Sequence, residues 1–490
     1  MICVSINEES RRMALVDMLN AARQGGDLLE VRLDRFGKAP DVGELIASKP
    51  RPVIFACRRP EDGGHWDGTE DERLAILRQC IVSKADYVEI ELDVADQIRP
   101  FPPCQRVIAY TNLQETPSDI LDIYEEARGK KPDVIKLTTL ARTPEEAWPL
   151  VQILGRATVP TVVVGLGKPG VMLSVLGKKL AAPWGYAALE RGMEAYPGQA
   201  TVTDLVEVYH FREIGKGTRL VGVTGFSDQA QITAAVLNAV FAKEQLPVRC
   251  LPLAVGELRV FRKIIDAAKL AAVVVDAEHQ ASLADIGALL HGAAKQTRVV
   301  DLLTRKNDAW HGAHMSCQAW VRALGEKFKQ RHGGDNPFKD RIVLITGITA
   351  AARALAADVQ RAGAGAILAS HKRKAGTLAA QETGCRFIGF EGIYTVMHDA
   401  LVVCDEERDE APRGAGIVAT YLKSGMTVMD LSAGARRTPL LEEATLRGCL
   451  VVEPLDLLLG LLEQQARTLA GEAVPRETLA AAIPGRFKEE

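Results

Sequence analysis

Nine cysteines are scattered along the 490 residues without a Cys-x-x-Cys pair or a Cys/His ligand spacing. Neither a zinc site nor a disulfide framework is indicated by that spacing. Charge imbalance is equally scarce, with a net charge of −3, which argues against nucleic acid or an anionic membrane as the main partner. No apolar run reaches the ~18 residues of a spanning helix. No signal peptide is visible either, since MICVSINEES starts as a strand running into a helix. The expectation is therefore a cytoplasmic protein. What is present is an ordinary globular composition, 47% hydrophobic and 25% charged, in a chain long enough for two or three domains.

The most informative stretch is Lys131–Leu140, KPDVIKLTTL. Val134, Ile135 and Leu137 read as a buried strand, and Lys136 interrupts it. A charged amine is costly there. Desolvation draws such an amine toward its neutral form, which can attack a ketone. The competing reading is a lysine whose head snorkels to the surface.

Around it, short strands and helices alternate with a period of roughly 25–30 residues, the beat of βα units. Strands are expected at ICVSI, Asp27–Leu33, Pro52–Arg58, Tyr87–Leu92, Arg106–Thr111, Asp133–Thr138, Thr161–Leu166 and Ala181–Leu189, with helices such as Asp71–Ser83 and Pro144–Leu154 between them. Eight such units predict an α/β protein whose N-terminal part is a (β/α)8 TIM barrel, with its chemistry at the C-terminal strand ends. Polar residues gather at those ends. Glu30 and Arg32 share one face of their strand, Arg58 closes the next, Lys136 closes a later one, and Tyr196-Pro197-Gly198-Gln199 comes after the last. Glu30 and Arg32 read equally well as a buried salt bridge.

The runs LLEVRLDRF, FACRRPEDGGHWDGTEDERL, YVEIEL, VIAYTNLQETP, DVIKL and AYPGQATVTDL resemble type I 3-dehydroquinate dehydratase over nearly all of Met1–Ile214. The remainder of the chain resembles shikimate dehydrogenase, so the whole is similar to the bifunctional dehydratase/dehydrogenase family of the shikimate pathway. The resemblance implies that Lys136 forms a Schiff base with the substrate ketone. Glu30, Arg32 and Arg58 match substrate-binding positions, and Gln199 matches a residue of the closing loop. It also marks departures. Thr111 stands where the acid/base histidine belongs, Asp62 where a glutamate does, Ser174 where an arginine clamps the substrate carboxylate, and Ala195 where a serine is expected. His65, after the double glycine, is a candidate relocated base, with a solvated loop histidine as the alternative.

The expected domains are residues 1–214, the barrel; 219–330, a shikimate-dehydrogenase-type substrate domain; and 338–490, a Rossmann-like, NADP-type domain with C-terminal helices. Gly215-Lys216-Gly217-Thr218 is the expected joint. In the substrate domain the resemblance puts Phe226-Ser227-Asp228 at the serine pair, Gln280 at the catalytic lysine, Asp301 near the asparagine and Ser316 near the catalytic aspartate. In the last domain the dinucleotide fingerprint is reduced to Gly347-Ile348-Thr349-Ala350-Ala351-Ala352. A glycine-rich turn lets backbone N–H groups approach a pyrophosphate, and Ile348 and Thr349 crowd that approach. Gly347, Thr349, Lys372 and Arg373 are the candidate NADP contacts, with a solvated charge run as the alternative for the basic pair. Leu461 and Ser432 replace a glutamine and a tyrosine expected near the substrate.

Three functions stay open on this reading: a member of the pathway with impaired or altered catalysis, a pseudoenzyme that binds a metabolite or scaffolds a partner, and a Schiff-base enzyme acting on another small carbonyl compound. The expected ligand is a small cyclic carboxylate of the 3-dehydroquinate or shikimate type. NADP is the cofactor in question, no metal is expected, and a protein partner or a second copy of the chain is left open.

Overall fold

The computed structural model describes residues 1–37, 41–404, 421–431 and 437–485. The chain divides into two compact units, Met1–Gly222 with Pro247–Leu270, and Val223–Leu246 with Ala271–Glu490.

The first unit is built on β1 (Ile2–Ile6), β2 (Leu28–Arg32), β3 (Val53–Ala56), β4 (Tyr87–Glu91), β5 (Gln105–Asn112), β6 (Val134–Leu140), β7 (Thr161–Leu166) and β8 (Gly185–Ala187). They form one eight-stranded sheet in the order β7-β6-β5-β4-β3-β2-β1-β8, and its ladders are parallel. This is the (β/α)8 architecture. Strands covered on both faces are apolar throughout, and β2 and β3 are buried along their whole length. The helices between them start where the local chemistry supplies a cap. Thr69 and Glu72 form a reciprocal capping box for Glu70–Val82, and Thr143 caps Pro144–Arg156, with Pro144 in the first turn where its missing N–H costs nothing.

Past the barrel strands comes β9 (Arg219–Thr224). The segment Pro247–Leu270 carries β10 (Val248–Leu253) and the helix Leu258–Ala267, and it belongs to the first unit although it falls in the expected residues 219–330. The backbone N–H of Glu257 donates to Glu145 Oε1 at 2.7 Å, and Arg249 pairs with Glu213. The expected joint is tied down as well, because Lys179 Nζ donates to the Thr218 carbonyl at 2.6 Å.

In the second unit β11 (Ala272–Val274), β13 (Leu302–Lys306), β14 (Ala309–Ala313) and β12 (Leu289–Leu290) are neighbours in that order. β13 and β14 form an antiparallel hairpin, an element that the sequence pattern does not announce. Its turn is Asn307-Asp308, both at positive φ (48° and 61°), the backbone that a tight hairpin needs and that Asn and Asp tolerate. The last sheet runs β17 (Arg386–Gly389), β16 (Gly365–Ser370), β15 (Ile342–Thr346), β18 (Ala400–Val403), β19 (Thr427–Asp430) and β20 (Leu450–Val451). All its ladders are parallel. This 3-2-1-4-5-6 order is that of the doubly wound dinucleotide-binding fold. Val343, Ile345, Val402 and Met429 pack its core against Leu355 and Val359 of the helix Ala350–Arg361. Among the described residues no helix is long and apolar enough to cross a membrane.

Candidate active site

Register decides which side chains meet inside the barrel. In a parallel ladder, paired residues point to the same side and the pattern repeats every second residue. Ser5 pairs with Glu30 and Ala109 with Lys136. Glu30, Glu89 and Lys136 converge on the interior, where each is almost wholly buried. Lys136 Nζ donates to Glu30 Oε2 at 2.7 Å and to Glu89 Oε2 at 2.8 Å. Arg58 closes the ring, with Nη2 2.8 Å from Glu30 Oε1 and Nε donating to Glu89 Oε1 at 2.7 Å. Two carboxylates thus face two cations. Tyr186 on β8 completes the cluster: its hydroxyl donates to Glu30 Oε2 at 2.6 Å, and its ring centroid lies 4.4 Å from Lys136 Nζ, within cation–π range. Ser5 Oγ donates to Glu30 Oε1 at 3.1 Å.

Lys136 is therefore buried, its side chain 4% exposed, and does not snorkel to the surface. Nor is it the isolated amine that the strand pattern suggests, because two carboxylates meet it. Burial pushes the Glu30 carboxyl up, but Arg58, Lys136 and Arg32 together outweigh burial and hold it well below the usual carboxylate range. Burial, then Glu30, push the Tyr186 phenol well above its ordinary value, so it remains a donor.

The other candidates occupy the rim. Arg32 grips Asp34 through two hydrogen bonds (2.9 and 2.8 Å) and donates to the Gly63 carbonyl at 3.1 Å. It thereby anchors the loop that holds the double glycine. At Gly64 that loop passes so close to the strand end that an added Cβ would lie 1.9 Å from the Arg58 carbonyl oxygen, a place only glycine fits. Asp62 is held by Arg59 at 2.7 Å, and Arg59 also grips Asp93. The His65 ring meets Arg35 Nη1 at 3.0 Å, and its backbone N–H donates to Asp34. Neither Asp62 nor His65 joins the Lys136 cluster through these contacts. Thr111, two residues beyond Ala109, faces the same side as Lys136, one step nearer the mouth. Gln199 accepts from the Ala195 backbone N–H at 2.7 Å and closes its own loop.

Glu89 is a site residue that sequence reasoning missed. YVEIEL offers two glutamates two residues apart, and only tertiary structure distinguishes them. Glu91 is taken by Arg73 at 2.6 Å, whereas Glu89 reaches Lys136.

Asp34 behaves as Glu30 does. Burial raises its carboxyl, and the Arg32 guanidinium together with the backbone N–H groups of Arg58 and His65 outweighs burial and lowers it. A carboxylate with a folded value below its unfolded one adds stability above the unfolded value, about 4.3 for Glu and 3.9 for Asp. That stability is lost as pH falls through the folded value. The urea midpoint of the barrel is therefore expected to fall below about pH 4, and Glu30→Gln should flatten that acid limb. Equal acid limbs in wild type and variant would contradict the assignment.

In the second unit, His314 sits between positions the sequence singles out. Its Nε2 lies 3.2 Å from Gln280 Oε1 and its Nδ1 3.8 Å from Asp301 Oδ2. Asp301 in turn accepts the backbone N–H groups of Met315 and Ser316 at the start of the helix Met315–His332. Ser227 is a helix cap that accepts from Ala230. His279 Nδ1 lies 2.8 Å from Asp276 Oδ1, and Asp276, Glu278 and His279 bring ligand-type atoms within 4.8 Å of one another.

At the Rossmann turn Gly347 has φ +91°, and a Cβ there would lie 2.1 Å from the Cys404 carbonyl oxygen. Thr349 caps the next helix, its hydroxyl accepting the Ala352 N–H at 3.0 Å. One of the donors a pyrophosphate would use is thus engaged. Arg373 reaches Glu391 at 3.3 Å and is otherwise largely exposed. The Lys372 backbone N–H donates to Ser370 Oγ, and the neighbouring His371 ring stacks on Phe390. The residues at this turn do not fit a dinucleotide in the glycine-rich manner. Ser432 lies outside the described residues, and Leu461 is buried in the helix Pro454–Ala470.

Residues 2–216 match the type I 3-dehydroquinase family model. A bifunctional 3-dehydroquinate dehydratase/shikimate dehydrogenase of Arabidopsis thaliana is 24% identical over 97% of this chain and 83% of its own. A 3-dehydroquinate dehydratase of Methanopyrus kandleri is 33% identical over 38% of this chain and 87% of its own. The crystal structure of shikimate dehydrogenase from Aquifex aeolicus covers 55% of this chain and 98% of its own, at 19% identity and a TM-score of 0.48. The chain belongs to the type I 3-dehydroquinase family through its barrel, fused to a shikimate-dehydrogenase-like region as in the bifunctional dehydratase/dehydrogenases.

Proposed function

We propose that the barrel is a Schiff-base lyase site that dehydrates 3-dehydroquinate or a close cyclic keto-carboxylate, more slowly than a relative carrying the histidine. The observation that carries this reading is the buried Lys136 amine between Glu30 and Glu89, with Arg58 matching their charge. Lysine is the nucleophile of choice for a ketone, and an imine makes the adjacent carbon acidic, so water can be eliminated across it. Burial keeps bulk water from the imine. Thr111, where the family's histidine belongs, does not exchange protons near neutral pH, and such a group contributes about 10²–10⁴ in rate.

The second unit carries no reductase step in this proposal. Gln280 replaces the lysine that the resemblance calls for, and the turn at Gly347–Thr349 does not suit a dinucleotide. Titration with NADPH, monitored by its fluorescence, is expected to show no saturable change; a saturable change would restore the cofactor.

The test is dehydration of 3-dehydroquinate, monitored by the conjugated enone it forms. Wild type should turn over slowly and Lys136→Ala not at all. Equal rates in the two proteins, or none above background in wild type, would overturn the proposal.

A further inference from the structure

The two carboxylates beside Lys136 are not equivalent. Glu30 accepts from Lys136, Tyr186 and Ser5 and lies against Arg58. Glu89 accepts from Lys136 and from Arg58 Nε. An ammonium has three N–H bonds to share, but a protonated imine has one. When Lys136 becomes an imine it can serve only one of the two carboxylates. Glu30 then still has Tyr186, Ser5 and Arg58, whereas Glu89 would be left with Arg58.

Resting on the Schiff-base reading, we infer that Glu89 is the proton-transfer residue of the barrel site. The carbon next to the imine carbon lies about 2.5 Å from the nitrogen by ordinary bond lengths, and the Glu89 oxygen is 2.8 Å from that nitrogen. Lys136 first passes one proton to Glu89, 2.8 Å away, and attacks the ketone carbon as the free amine. The carbinolamine oxygen then leaves as water, carrying a second nitrogen proton and the proton held by Glu89, which leaves a protonated imine and a Glu89 carboxylate. Glu89 takes the proton from the adjacent carbon, and the C–H electron pair forms an enamine that neutralises the nitrogen. That pair then expels the hydroxyl one carbon further on, which leaves as water with the proton from Glu89. Hydrolysis of the conjugated imine returns the lysine and the enone. Separating the two carboxylates by environment assigns the base to the one with fewer donors.

The test combines two readouts on wild type, Glu89→Gln and Glu89→Asp with 3-dehydroquinate. Borohydride trapping and then intact mass report the adduct. Deuterium uptake at the carbon next to the ketone, read by NMR in D₂O, reports proton transfer. All three proteins should form the adduct, while exchange falls by about 10² or more in Glu89→Gln and by less in Glu89→Asp. Exchange in Glu89→Gln within about threefold of wild type would overturn the assignment, given the size expected of such a group. So would loss of the adduct in a folded Glu89→Gln, which would make Glu89 a positioning residue. Should Glu89→Gln not fold, unchanged exchange in Glu89→Asp overturns it and a reduced rate with a normal adduct supports it. An adduct missing from wild type removes the Schiff-base reading itself, a different failure.

Discussion

Glu30→Ala is expected to destabilise the barrel unit by about 3–5 kcal/mol, the usual cost of removing one partner from a buried ion-pair network. The loss leaves Lys136 and Arg58 facing Glu89 alone, and it strands the Tyr186 hydroxyl, buried beside them. In a unit of this size the effect corresponds to a fall in melting temperature of roughly 6–20 °C. Coupling distinguishes a network from a set of independent pairs. Glu30→Gln combined with Lys136→Met should cost less than the sum of the two single changes, because the pair removes opposite charges together. Strict additivity in urea unfolding would mean that the four charges do not act as a unit.

Gly347→Ala is the second large effect, in the other unit. A left-handed backbone costs a residue with a Cβ about 1–2 kcal/mol, and forcing atoms into a packed site typically costs about 1–3 kcal/mol more. Here the new methyl would sit 2.1 Å from a backbone oxygen, that of Cys404 on leaving β18. A backbone atom cannot step aside as a side chain can. A loss of about 2–5 kcal/mol from the second unit's transition is expected from these terms. This glycine is demanded by the meeting of β15 and β18, so folding alone accounts for its presence at the turn. A variant that melts with wild type would return Gly347 to the cofactor.

The same contrast explains what the sequence reveals and what it hides. The barrel strands are legible because strands covered on both faces must be apolar, as in VIFA and TVVV, and because helices such as Glu70–Val82 announce themselves with a Thr–Glu cap. Lys136 stands out for the same reason, as one charge in a buried run. Glu30 and Arg58 are legible too, as polar residues at strand ends, but Glu89 is not, since nothing in YVEIEL says that Glu89 and not Glu91 faces the lysine. Asp62, His65 and Gln199 lie near the mouth in sequence, but their contacts are set by Arg59, Arg35 and Ala195, and those pairings depend on how each loop folds back. The β13–β14 hairpin is hidden because Arg305-Lys306-Asn307-Asp308 reads as a solvated turn without strands around it.

Everything proposed for the barrel depends on Lys136 attacking a ketone. Intact mass after incubation with saturating 3-dehydroquinate and borohydride, and then peptide mapping, tests this most directly. One reduced adduct per chain is expected on wild type, mapped to Lys136, and none on Lys136→Ala. An unmodified wild-type chain, or an adduct that persists in Lys136→Ala, would contradict it.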